Sequence, residues 1–98
     1  MIDRKKMNSK TRFFELLNQV PRIQHLWDPK GNGSLIPDIF EKELGVMSSG
    51  ESEMAKFFAA VWFHDNSRYG FDVVDAMARV DIEHRELIAN WIIDPFWP

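Results

Sequence analysis

Apolar side chains recur along this chain at helical spacing, and nowhere do they alternate with polar ones over the length of a strand. Phe13, Leu16, Leu17 and Val20 stand at i, i+3, i+4 and i+7, the separation that puts side chains on one face of a 3.6-residue turn. Ser9 is placed to cap the helix they belong to. Pro21 lacks a backbone N–H and clashes with the preceding turn, so the helix must kink or restart there. Ile23, Leu26 and Trp27 continue the stripe in a short second piece. Residues 28–34 read Asp-Pro-Lys-Gly-Asn-Gly-Ser, the clearest loop in the chain. Pro37 suits the first turn of the next helix, with Ile36, Ile39, Phe40 and Leu44 on one side and Gly45 as the stop.

The strongest element follows. Ser48 and Glu51 have the spacing of a capping box, in which each satisfies a free amide of the helix start. The helix they open runs to about His64 and is apolar on most sides, through Met54, Phe57, Phe58, Val61 and Trp62, with Ala55, Ala59 and Ala60 between. A helix apolar nearly all round belongs at the centre of a bundle. Residues 65–70 make a turn, Asp72 caps a short helix through Val80, and Asp81 caps another carrying Leu87, Ile88, Trp91 and Ile92. Asp94-Pro95 ends it, because a residue before proline avoids helical geometry. The pattern predicts an all-α fold: a single compact bundle of four to six short helices around a central one at about residues 51–64. Residues 1–8 are expected to be a flexible basic leader, and residues 9–98 one helical domain.

Composition narrows the class. The chain has 98 residues, 45% hydrophobic and 13% aromatic, and no cysteine. It is too apolar to stay disordered and too short for two cores. Without cysteine there are no disulfides, no Cys-based zinc sites and no thiol nucleophile, which fits a cytoplasmic setting. Arg4, Lys5 and Lys6 are followed by no apolar stretch of the secretory kind, and the apolar run of residues 57–63 is far shorter than a membrane span.

The net charge of −3 is unevenly placed: the first twelve residues carry five basic side chains and one acid, a local +4, so the remainder carries −7. An acidic body repels a phosphate backbone, which argues against nucleic acid as the partner. One alternative keeps it: a small DNA-associated regulator using Arg4, Lys5, Lys6, Lys10 and Arg12 as a basic arm. The last two helices have helix-turn-helix proportions. However, Glu83 and Glu86 lie at the start of the second, where phosphates would have to sit.

Candidate chemistry is sparse. The loop at residues 28–34 partly resembles an EF-hand calcium loop, with Asp28, Asn32, Gly33 and Leu35 at its first, fifth, sixth and eighth positions. Lys30 at the third and Ile39 at the twelfth stand where ligating oxygens are needed, so it reads as an ordinary Gly-rich turn. A second alternative is a metal-dependent or acid–base site at His64, Asp65, Asp81 and His84. Their spacing has no paired-histidine motif, and Asp81 is already wanted as a cap. The serines lie at caps and loops, and neither a nucleophile elbow nor a phosphate-binding glycine motif occurs. No catalytic residue, metal or cofactor is expected.

The aromatic surplus is the suggestive feature. A bundle of this size cannot easily enclose every ring of its C-terminal half, and aromatics dominate interface hot spots. Trp62, Tyr69, Trp91, Phe96 and Trp97 are therefore the candidate partner-binding residues, with Phe96 and Trp97 either an interface or a latch folded back on the bundle. The reading is a small acidic non-enzymatic interaction domain. It would bind another protein or itself, with a homodimer possible, in the manner of an adaptor, an inhibitor, an antitoxin or an immunity protein.

Overall fold

A computed structural model describes residues 8–28 and 33–98. Helix α1 (Ser9–Leu17) leads into a 3-10 helix (Pro21–Leu26); α2 (Pro37–Leu44), α3 (Ser49–Phe63), α4 (Val73–Arg79) and α5 (Ile82–Ile93) follow. The fold is the all-α bundle its apolar pattern predicts. Among the described residues the single piece of β pairing is an isolated bridge between Trp27 and Leu35. The arm of the DNA alternative at Arg4, Lys5 and Lys6 lies outside the described residues, as do Lys30 and Asn32 of the glycine-rich loop.

Local signals set the element ends, with one correction. Asn8, not Ser9, caps α1: its Oδ1 accepts from the Lys10 amide at 2.7 Å. The error is one of register between adjacent residues that both make good caps. At α3 the capping box is complete, with the Glu51 amide donating to Ser48 Oγ at 3.3 Å and the Ser48 amide to Glu51 Oε1 at 3.1 Å. Asp72 Oδ1 accepts from the amides of Val74 and Asp75, and Asp81 Oδ1 from that of His84. Pro21 turns α1 into a tighter 3-10 segment, which delivers Ile23, Leu26 and Trp27 to the core. The Asp28 amide then donates to the Ser34 carbonyl and that of Ile36 to Leu26, closing the base of the glycine-rich loop.

The C-terminus of α3 uses an unusual residue. The Asp65 amide donates to the Ala60 carbonyl at 3.1 Å and that of His64 to Val61 at 3.4 Å, the paired closure of a Schellman turn. The residue that must be left-handed there is His64, with φ 56°. Glycine would take that conformation with less strain.

The core forms where α3 passes through the bundle. Phe13, Trp27, Phe40 and Phe58 are each buried to within 1%, and their rings meet edge to face or tilted at 5.5–6.4 Å. Such pairs add about 0.5–1.5 kcal/mol each beyond the area they bury. On α2 the correction is Ile39, which is exposed while Phe40 takes the core position. The two ends of α3 are set differently. At its start, a Cβ on Gly50 would stand 3.1 Å from the Arg79 carbonyl oxygen, so a bare glycine lets α4 approach the α3 backbone. Glu53, one turn on, is buried, and Arg79 Nη1 donates to its Oε1 at 3.2 Å.

Candidate functional site

The C-terminal segment after α5 folds back on the bundle, and this decides where the candidate aromatics lie. Asp94-Pro95 breaks α5, and the Phe96 ring enters the core at 8% exposure. Two contacts hold it. Trp91 Nε1 donates to the Phe96 carbonyl at 2.9 Å. The Arg12 guanidinium lies 4.2 Å from the Phe96 ring centroid and donates to Asp94 Oδ2 at 3.0 Å. Phe96 is thus a latch and no part of the surface. Arg12, a candidate for a basic arm, is engaged by the chain's own tail, and Lys10 lies 6.0 Å from the Trp62 ring centroid.

The remaining aromatics divide between two places. Trp62 packs among Phe13, Phe14 and Trp27 on the α1 side of α3. Tyr69 packs on Phe40 at 4.5 Å, with Phe63 beside it. Both are only half-buried, but neither shares a site with the others. Trp91 and Trp97 do come together: their rings meet edge to face at 5.5 Å, and Trp97 stands 5.8 Å from His64.

These two tryptophans form one wall of a groove of about 460 Å³. Phe57, Ala60 and Val61 of α3 and Ile88 of α5 lie along it. Phe71, Val73, Val74 and Ile92 also line it, with the polar Asn66 and Asp72. The volume falls within the usual range of ligand and partner clefts. Its lining is mostly apolar and open to water: Val74 is 74% exposed, Ile92 54% and Trp97 46%. Ile82 and Ile93 on α5 lie outside this lining, while four of the eight exposed large hydrophobics of the described residues, Val73, Val74, Ile92 and Trp97, belong to it. Scattered singly they would mean nothing; gathered along one cleft they make a patch of the sort that binds partners.

Val73, Val74 and Ile92 are the groove residues that the reading by aromatics passes over. Their signal is in the sequence, because neighbouring residues on a helix point about 100° apart. In an adjacent apolar pair such as Val73-Val74 or Ile92-Ile93 the two side chains face different directions, and packing decides whether both bury, as Leu87 and Ile88 of α5 do.

The histidine and carboxylate candidates do not gather. Asp65 Oδ1 accepts from the Ser67 amide at 2.9 Å and from its hydroxyl at 2.6 Å, and these bonds hold its carboxyl below the usual carboxylate range. Asp81 caps α5 and stands 3.4 Å from His84 Nδ1. Among the described residues no group of three or more His, Asp or Glu side chains is placed to hold a metal ion. Nor is any helix there long and apolar enough to cross a membrane. Compared with protein families, with curated proteins and with solved structures, the chain matches none.

Proposed function

We propose that this protein is a non-enzymatic interaction domain that docks a protein partner in the groove between α3, α4, α5 and the tail. The observation that carries this reading is the gathering of exposed apolar side chains around that one cleft. An exposed valine or isoleucine contributes little to folding, while a contiguous apolar wall risks non-specific association unless a partner covers it. Val74 on α4 and Ile92 on α5 both line the groove, so a segment docked in it would meet both helices. Trp91, held by its bond to the Phe96 carbonyl, and Trp97 beside it offer large ring surfaces at low entropic cost, which is what interface anchors require.

A double variant, Val74→Gln with Ile92→Gln, separates docking from folding. Its thermal midpoint is expected to stay within about 3 °C of the parent, as exposed positions allow. The protein that co-purifies with the tagged parent from the cells that make it should be lost, while Val46→Gln, at a position 77% exposed between α2 and α3, retains it. A midpoint lowered by about 8 °C or more would make these side chains part of the core. Unchanged co-purification would place docking elsewhere.

A further inference from the structure

The groove's charge narrows the kind of segment that fits it. Residues 60–98, which supply nearly all of its walls, carry seven acidic side chains against three basic ones, a net −4. Of those three bases, Arg79 is engaged by Glu53 and Arg68 lies 4.1 Å from the Phe63 ring centroid. Asp72 lines the groove, and Asp65 and Asp75 adjoin its lining residues Asn66 and Val74 in the chain. Among the described residues no cationic side chain lines it. A mostly apolar groove with the Asp72 carboxylate in its lining, on a segment of net negative charge, attracts an apolar segment with cationic flanks and repels phosphate or a second acidic body.

Secondary structure narrows it again. The described residues offer no sheet edge for a peptide strand to extend, since their one β contact is an isolated bridge. The walls are helices, whose ridges accept the ridges of another helix.

We propose that the groove takes a cationic amphipathic helix of a protein partner. Its apolar side chains would seat against Val73, Val74, Ile92 and Trp97, with a lysine or arginine toward Asp72. This rests on the docking reading above and specifies its ligand. A 14-residue helix is about 21 Å long, which fits across a molecule measuring 42 × 31 × 23 Å.

The test uses two synthetic 14-residue peptides of identical helical pattern, one of leucine and lysine, the other of leucine and glutamate. Each is titrated by calorimetry into the full chain, into Val74→Lys and into Val46→Lys. The lysine peptide should bind saturably at one per chain, at least tenfold tighter than the glutamate peptide. Val74→Lys should weaken it at least tenfold, and Val46→Lys, which changes the net charge equally, should leave it within twofold. Equal affinity for both peptides overturns the cationic assignment and leaves groove docking standing. Lysine-peptide binding that Val74→Lys does not weaken places the site on another acidic surface and overturns the assignment. So does the absence of binding by either peptide. A concentration-dependent dimer abolished by Val74→Lys, with no peptide bound, would make a second copy of the chain the occupant.

Discussion

Arg12 belongs to a run of basic residues that, read as charge alone, is a set of free cations. In the fold its side chain is only 12% exposed, laid over Phe96 and paired with Asp94. Its guanidinium is a planar cation that stacks on a ring and donates to a carboxylate at once. Arg12→Lys keeps the charge and loses the stack, so it should cost about 1 kcal/mol, read as a lower urea midpoint with an unchanged slope. An unchanged midpoint would mean the stack contributes nothing to stability. The same geometry changes how the tail is to be tested. Truncation after Asp94 removes a buried core ring along with exposed Trp97, so it would lower stability whatever the tail's function. Point changes in the groove are the cleaner probe. Two buried polar atoms, Trp27 Nε1 and Glu53 Oε2, have no hydrogen-bond partner among the described residues, and nothing in the structure explains the first. The second belongs to a carboxylate whose other oxygen meets Arg79 and Lys56, so the charge itself is compensated.

At the scale of elements, the caps decide where helices begin, and one of them also sets a pH dependence. Glu51 is drawn to about 2, chiefly by the Arg22 side chain and then by the Ser48 amide and hydroxyl. A carboxyl depressed in the folded state contributes its full stability above the unfolded value, roughly 4.3, and loses it as pH falls toward 2. Glu51→Gln should therefore flatten the acid limb of stability between those values and leave its shape near neutrality unchanged. A parent and variant with parallel curves down to pH 2 would contradict that. Most of these elements are legible in the sequence, because capping and helical periodicity are local. The Ser48 and Glu51 pair, Asp72 and Asp81 are each read from residues within one turn. The misreadings arise where local rules tie or where packing decides. Asn8 and Ser9 are equivalent as caps until α1 has a register. Ile39 and Phe40 are adjacent apolar residues, of which only packing against Trp27 chooses the larger. His64 takes a left-handed position that residue type alone assigns to glycine.

At the scale of the whole molecule, the question is which apolar surface the bundle cannot use. Trp62 and Tyr69 find core neighbours and Phe96 is pinned beneath Arg12, so most of the aromatic surplus is absorbed by packing. That outcome depends on how the tail returns across α1 and α3, a long-range fact that composition does not contain. The residue of the surplus lies between α4 and α5: Trp97 with the aliphatic pairs at Val73-Val74 and Ile92-Ile93. This groove, with the Asp72 carboxylate in its lining, is the surface proposed to hold a partner. The most direct test places a photo-crosslinking amino acid at Ile92, and separately at Val46, in the living source cells. Illumination should join the Ile92 form to a distinct protein partner and leave the Val46 form uncoupled. No adduct at Ile92, or the same adducts from both positions, would contradict the groove as the docking surface.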